Sequence, residues 1–214
     1  MDLNLIQKIC IWSLPILFAL TLHEAAHAYV AKRFGDSTAA LAGRVSLNPI
    51  RHIDPLGTLL IPLVCMLSGA SFLFGWARPT PVDARNLRNP QRDLFWVFAA
   101  GPASHLVMAI GWALVWKLAI VLPNFSLQVP MMLMGQAGIG FNLMLLVLNL
   151  VPLPPMDGGR MLLLVLPPAK ADQLQRAEPY LNGLLILLLI TGVLAKVLLP
   201  IVGVLYQLLY TLIL

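Results

Sequence analysis

Long apolar runs separated by short polar stretches dominate this chain of 214 residues. The runs cover approximately residues 9–31, 56–74, 94–122, 131–151 and 181–214. Because a helix needs roughly 20 apolar residues to cross a bilayer, the pattern predicts an all-α polytopic membrane protein with about four to six transmembrane helices. The last run contains Pro200 and is expected to form either one full span plus a short element or a tight hairpin.

The second run, Leu56–Phe74, is expected to enter the membrane and return. Lysine and arginine residues concentrate at 32–51, 78–92 and 160–176, and the positive-inside rule places all three stretches on the cytoplasmic side. Two consecutive loops on one side require an even number of crossings between them, and a run of about 19 residues is too short to cross twice as helix. We therefore predict a re-entrant element with its turn near Ser68–Ser71, shielded from lipid by protein.

The polar stretches are too short to form a soluble domain. We expect residues 1–214 to form a single membrane-embedded domain, with a core at about 9–160 and C-terminal apolar helices at about 180–214. Within the first polar stretch, residues 39–47 alternate weakly between apolar and other positions. This pattern is compatible with a short strand or β-hairpin after the first span.

Composition agrees with a membrane location. The chain is 59% hydrophobic and only 11% charged, with a mean hydropathy of +0.86, whereas soluble domains carry about 25% charged residues. The net charge of +5 comes from basic residues between apolar runs, which indicates membrane topology and lipid headgroups rather than nucleic acid. Cys10 and Cys65 lie in apolar runs without metal-ligand spacing, so no disulfide framework is predicted.

The first apolar run contains His23-Glu24-Ala25-Ala26-His27. Residues four apart lie on one face of a helix, so His23 and His27 can offer ring nitrogens to one zinc ion. Glu24 stands beside them, where a carboxylate can take a proton from an attacking water. Ionisable side chains are expensive in hydrocarbon and therefore mark functional sites. The motif predicts hydrolytic metal chemistry inside a membrane.

A catalytic zinc site usually has three protein ligands, so one is still missing from this motif. Asp157 is the only acid placed directly at the end of an apolar run. It follows a proline-rich break and precedes Gly158-Gly159, a backbone suited to turning a carboxylate inward. Alone, this segment would be interpreted as an interfacial turn. Beside an intramembrane His-Glu-x-x-His motif the ligand interpretation is the stronger, and the predicted topology puts Asp157 at the depth of His27.

Three ordered motifs resemble those of the site-2 protease family of intramembrane zinc metalloproteases. They are His23–His27, Ala100-Gly101-Pro102, and the block from Asn149 through Pro152 to Asp157-Gly158. The resemblance implies one Zn²⁺ held by His23, His27 and Asp157, with Glu24 as general base and acid. It also implies that Asn149 acts near the scissile peptide as a hydrogen-bond donor to the oxyanion.

One position departs from the family pattern. Ser104-His105 stands where the family often has asparagine after Gly-Pro. We expect His105 to restrain helix packing through a hydrogen bond, with contact to the site as the alternative, and we expect Asn142 to hydrogen-bond between helices.

The predicted function is hydrolysis of peptide bonds in or near transmembrane segments of substrate proteins. The predicted setting is a multi-pass protein of the cell membrane, with its active site towards the cytoplasmic side and no nucleic-acid partner. A strand at 39–47 could pair with an unwound substrate by edge addition. Two alternatives remain: a zinc transporter, although the outer halves of the runs offer few polar residues, and a catalytically idle membrane scaffold. The sequence leaves the oligomeric state open.

Overall fold

The structure is a computed structural model that describes residues 3–67, 75–122 and 126–214. Within these ranges the chain forms α-helices and short turns and contains no β-strand. The helices are α1 (Leu5–Arg33), α2 (Thr38–Leu41), α3 (Ile61–Leu67), α4 (Pro90–Val121), α5 (Gln128–Asn149), α6 (Asp157–Val165), α7 (Pro168–Ile190) and α8 (Val193–Ile213). Single 3₁₀ turns lie at Pro49–Arg51 and Ala84–Asn86, and a π-helical turn at Pro55–Leu60 leads into α3.

Four of the helices, α1, α4, α5 and α8, are long and apolar enough to cross a membrane. The prediction of an all-α polytopic membrane protein is therefore confirmed. The apolar run at 181–214 is divided between the end of α7 and all of α8. The division falls at Gly192, whose φ of +71° lies in the left-handed region that glycine adopts without strain.

Helix α1 carries the histidine motif and has well-defined ends. At its start Asn4 and Gln7 form a capping box, with the Gln7 amide donating to Asn4 Oδ1 at 2.9 Å. The basic last turn, Lys32-Arg33, complements the helix dipole. Gly35, at φ +114°, follows the end of the helix. His23 and His27 consequently lie in the half of α1 that leads to this basic end.

The core of the bundle lies where α4, α5 and α8 meet. Its buried side chains include Trp116, Ile139, Leu143 and Val202. Helix α4 also packs against α1 on one side and against the short α6 on another. Because α6 begins at Asp157, this packing brings the start of α6 to the histidine-bearing part of α1.

The segment at 39–47 does not form the strand or hairpin that its weak alternation suggested. It forms the single-turn helix α2 followed by a turn with Gly43 at φ +69°. The backbone groups form local hydrogen bonds, since the Leu41 amide donates to the carbonyl of Ser37 at 2.9 Å and the Arg44 amide donates to the carbonyl of Ala39 at 2.8 Å. With no strand here, the proposed edge addition of substrate at 39–47 loses its structural basis.

The run at 56–74 begins in the π-helical turn at Pro55–Leu60. Asp54 caps it by accepting hydrogen bonds from the amides of Leu56 at 3.0 Å and Gly57 at 2.8 Å. The predicted turn at Ser68–Ser71 lies outside the described residues. At Trp76 the chain is again beside its starting point, because the Trp76 amide donates to the carbonyl of Gly57 at 3.1 Å. The chain just after the run therefore lies beside the start of the run, as expected if the run is a re-entrant element.

Candidate metal centre

Two histidines and one aspartate bring their donor atoms together in a tight triangle. Nε2 of His23 and Nε2 of His27 lie 3.1 Å apart. Oδ2 of Asp157 lies 3.4 Å from each of these nitrogens. Within the described residues, this trio is the group of side chains whose donor atoms are close enough to share a metal ion.

The triangle has the dimensions of a zinc site. Zinc bonds to imidazole nitrogen and carboxylate oxygen are about 2.0–2.2 Å long, so donors at tetrahedral angles lie roughly 3.3–3.5 Å apart. The separations of 3.1 to 3.4 Å are close to that value. Oδ2 of Asp157 is buried and has no hydrogen-bond partner. A buried carboxylate oxygen without a donor is costly unless a cation satisfies it, so these residues fit a bound zinc ion.

His27 is held by the neighbouring helix α4. Its Nδ1–H donates to the carbonyl oxygen of Val97 at 2.7 Å, and the residue is buried. Such a bond fixes the tautomer and turns Nε2 towards the position of a metal. A carbonyl on α4 therefore orients a metal donor on α1.

Gly101 lets the two helices approach closely at this point. A β-carbon at Gly101 would lie 2.5 Å from both Cε1 of His23 and Nε2 of His27. Contacts that short do not occur between real side chains, so the imidazoles occupy space that only glycine leaves open. The Gly101-Pro102 pair of the sequence thus borders the metal centre directly.

His105 supports the other histidine. Its ring stacks on the ring of His23, with centroids 4.8 Å apart and 29° between the planes. His105 Nδ1 and Asn142 Oδ1 are hydrogen-bonded at 3.1 Å, and Asn142 Nδ2 donates to the carbonyl of Gly138 at 2.8 Å. The bond joins α4 to α5, which confirms the expected interhelical role of both residues. The stack on His23 shows that His105 also contacts the site.

Glu24 lies beside the triangle and contacts a segment that sequence reasoning did not associate with it. The Thr80 amide donates to Glu24 Oε2 at 2.7 Å, and Thr80 Oγ1 donates to the Glu24 carbonyl at 3.0 Å. The segment comes from the loop between the run at 56–74 and α4. Its flanking prolines, Pro79 and Pro81, predict extended backbone, but nothing in the sequence points to Glu24.

All five predicted site residues line one cavity of about 590 Å³: His23, Glu24, His27, Asn149 and Asp157. Asn149 Nδ2 donates to the carbonyl of Leu145 within its own helix at 2.9 Å. The described contacts therefore place Asn149 at the wall of the cavity, and its action on an oxyanion remains a prediction.

The cavity also has residues that the sequence did not single out. Arg160, one turn after Asp157 on α6, holds its guanidinium 5.4 Å from the ring centre of Phe98. Both residues line the cavity, and Phe98 meets His27 edge-on with centroids 6.5 Å apart. A cation–π pair of this kind closes the wall between α4 and α6.

The turn before α6 depends on close backbone packing. A β-carbon at Gly158 would lie 2.5 Å from the carbonyl oxygen of Leu150, and one at Gly159 would lie 2.2 Å from the carbonyl carbon of Leu153. The two glycines let α6 start directly against the end of α5. Asp157 is thereby turned into the cavity, as its sequence context predicts.

Comparison with known proteins agrees with this geometry. No family model matches the chain, and no solved structure matches it. The chain is 38% identical over 192 residues to the Bacillus subtilis protein named "Putative zinc metalloprotease YwhC", covering 87% of this chain and 83% of YwhC. It is 31% identical over 182 residues to the Mycolicibacterium smegmatis protein named "Putative zinc metalloprotease Rip2" and 33% identical over 146 residues to the Mycobacterium tuberculosis protein of that name.

The coverage differs between these relatives. The chain spans 66% of the first Rip2 protein and 52% of the second, so those proteins extend beyond the similar region. YwhC is matched over most of both chains. On this similarity, the chain belongs to the zinc metalloprotease family that includes YwhC and Rip2.

Proposed function

We propose that this protein is an intramembrane zinc metalloprotease of the site-2 protease type, which hydrolyses peptide bonds in or near transmembrane segments of other membrane proteins. One observation carries the proposal. The donor triangle of His23, His27 and Asp157 and the carboxylate of Glu24 line a single cavity, and both histidines lie on a helix long and apolar enough to cross a membrane. We further propose that the whole chain acts as one membrane-embedded domain.

The residues divide the chemistry between them. His23, His27 and Asp157 hold the zinc ion, which when bound supplies Lewis-acid activation of water and of the scissile carbonyl. Glu24 accepts the proton of the attacking water and delivers it to the leaving nitrogen. Asn149 donates a hydrogen bond to the carbonyl oxygen as negative charge develops on it.

The substrate has to present an extended peptide to this cavity. A helix is about 10–12 Å across and its carbonyls are engaged in internal hydrogen bonds, so an intact transmembrane helix offers no accessible scissile bond. Local unwinding therefore precedes attack. The proposed partners are a transmembrane-protein substrate and the surrounding lipid, with no nucleic acid.

The proposed location is the cell membrane, with the active site towards the cytoplasmic side. The basic residues Lys32 and Arg33 end α1 shortly after His27, and basic residues also occupy the loop at 78–92 that leads into α4. The positive-inside rule places these stretches in the cytoplasm. Water then reaches the site from that face.

The test compares the purified wild type with Glu24→Gln in liposomes that contain a model transmembrane substrate. We expect the variant to keep one zinc ion and to lose cleavage, because glutamine cannot accept the proton. Asp172→Asn is the matched control, since Asp172 is an exposed acid paired with Arg176 on α7. If the wild type moves zinc across the same vesicles without cleaving the substrate, the protein is a transporter. If it does neither, it is an idle scaffold.

A further inference from the structure

Thr80 contacts Glu24 at two points. Its backbone N–H donates to Oε2 of the Glu24 side chain at 2.7 Å, and its hydroxyl donates to the Glu24 backbone carbonyl at 3.0 Å. The first bond joins a neutral donor to a carboxylate and is short, as charge-assisted hydrogen bonds are. Both Thr80 and Glu24 line the cavity of the metal centre.

The geometry points to Thr80 as a positioning residue that orients the Glu24 carboxylate for proton transfer. The inference rests on the proposed proteolytic function. A carboxylate on a flexible glutamate side chain rotates freely unless one of its oxygens is held. The Thr80 amide holds Oε2, which fixes the plane of the group and leaves the other oxygen to exchange protons. The hydroxyl bond ties the same residue to the backbone of α1, so donor and acceptor keep their relative position.

The segment that carries Thr80 is anchored on both sides. Before it, the Arg78 amide donates to the carbonyl of His52 at 2.9 Å, and Thr58 Oγ1 donates to the carbonyl of Trp76 at 2.8 Å. After it, the Asp83 amide donates to Oδ2 of Asp36 at 2.8 Å. The Thr80 amide is therefore presented by a fixed backbone.

Asp36 is the strongest of these anchors. It is fully buried, and its Oδ1 also accepts hydrogen bonds from the Thr38 hydroxyl, from the Thr38 amide at 2.9 Å and from Asn86 Nδ2 at 3.1 Å. Burial by itself would raise the pKa of Asp36, but these hydrogen bonds and that of the Asp83 amide lower it below its ordinary 3.8. The carboxylate therefore stays ionised and holds the loop at neutral pH.

Three substitutions separate the two bonds. Thr80→Ser keeps both the amide and a hydroxyl, and Thr80→Val keeps the amide but removes the hydroxyl. Thr80→Pro removes both the N–H and the hydroxyl, so its difference from Thr80→Val reports the amide bond. We expect Thr80→Ser to retain wild-type kcat. Thr80→Val should lower kcat by about two- to tenfold, the worth of one neutral hydrogen bond. Thr80→Pro should lower kcat by about 100-fold, as displacement of a catalytic group does. KM and zinc content should stay within about twofold in all three, because Thr80 holds the base and does not bind the metal.

A second measurement reports on the contact without any turnover. Pro79 and Pro81 have no N–H, so Thr80 is the one exchangeable backbone amide between Arg78 and Val82. Its hydrogen exchange can be followed in the zinc-loaded protein in detergent. Glu24→Ala removes the acceptor and should accelerate exchange at Thr80, whereas Glu24→Gln retains an acceptor oxygen and should leave exchange slow.

The outcomes are distinct for the two proposals. Three results would overturn the positioning role while leaving proteolysis intact. They are a wild-type kcat in Thr80→Pro, a fall in kcat that follows loss of zinc, and unchanged exchange at Thr80 in Glu24→Ala. Failure of the wild type to cleave any transmembrane substrate would overturn the proposed function. Loss of kcat at constant zinc content, recovered by serine and accompanied by faster exchange in Glu24→Ala, would establish the role.

Discussion

Oδ2 of Asp157 lies 3.4 Å from Nε2 of His27, although the two residues belong to different helices separated by most of the chain. The separation suits two donors to one zinc ion. It also fixes the topology, because α4 and α5 must leave and return so that the start of α6 reaches the depth of the histidines. The pairing therefore links the fold to the proposed chemistry.

The first prediction concerns the donor set itself. Asp157→Ala and His27→Ala should each lower zinc affinity by at least about 100-fold, because loss of a direct ligand exceeds the 10–100-fold effect of residues that only support ligands. Zinc content of the purified protein measured by mass spectrometry checks this. Asp172→Asn, which alters an exposed acid on α7, should retain full zinc. Full zinc in Asp157→Ala would remove Asp157 from the donor set.

The second prediction concerns the close approach of α4 to α1. Gly101→Ala places a methyl group 2.5 Å from both imidazoles, so the histidines must move and zinc affinity should fall by about 10–100-fold. Gly111→Ala is a matched control on the same helix, because a β-carbon there meets no atom within 4 Å. Zinc titration of the two variants checks the difference. Equal affinities would show that the histidines do not depend on this contact.

The third prediction concerns the stack of His105 on His23. His105→Ala removes both the stacked ring and the hydrogen bond to Asn142. We expect zinc to dissociate faster and affinity to fall by about 10-fold, the lower end of the range for residues that support ligands. Asn142→Leu should give a smaller loss, since it removes the bond but leaves the ring.

The control for this pair is Leu106→Ala, which changes the next residue of α4 at an exposed position. It should leave zinc affinity unchanged. If His105→Ala also left the affinity unchanged, the stack would serve helix packing alone.

The fourth prediction concerns acid stability. The pKa of folded Asp36 is below its ordinary value of 3.8, so its hydrogen bonds stabilise the fold fully above that value. This stabilisation should be lost as the pH falls through 3.8 towards the lower folded pKa. Thermal unfolding followed by tryptophan fluorescence between about pH 6 and pH 2.5 covers this window.

Asp36→Asn provides the comparison for the pH series. It cannot ionise, so the difference in unfolding temperature between wild type and variant should shrink as the pH falls. A constant difference across the range would show that the pKa of Asp36 is the same in the folded and the unfolded chain. Asp83 adds to the same window, because hydrogen bonds from Arg85 lower the pKa of Asp83 to about 2.

Much of this architecture could be predicted from the chain alone. Long apolar runs specify spans because a bilayer demands about 20 residues of helix. The spacing of His23 and His27 specifies a shared face, and charge counting places Asp157 on the same side. These features follow from the periodicity of the helix and from the thickness and apolarity of the bilayer. No tertiary contact had to be known in advance.

The contacts of the site itself were less predictable. Val97 and Thr80 act through backbone groups, whose hydrogen-bonding capacity is the same at almost every residue. Only the tertiary packing decides which carbonyl or amide meets His27 or Glu24. The prediction of a strand at 39–47 was wrong for a related reason. A weakly alternating segment forms a strand only if a partner strand satisfies its backbone groups, and here local hydrogen bonds formed α2 instead.

The position of the cut in a substrate tests the central claim most directly. A model transmembrane protein can be incubated in liposomes with the wild type or with Glu24→Gln, and mass spectrometry then identifies the new termini. We predict new termini within or at the edge of the substrate's membrane-spanning segment, formed by the wild type and absent with Glu24→Gln. Cuts confined to distant aqueous loops, or equal cleavage by Glu24→Gln, would contradict intramembrane proteolysis by this site.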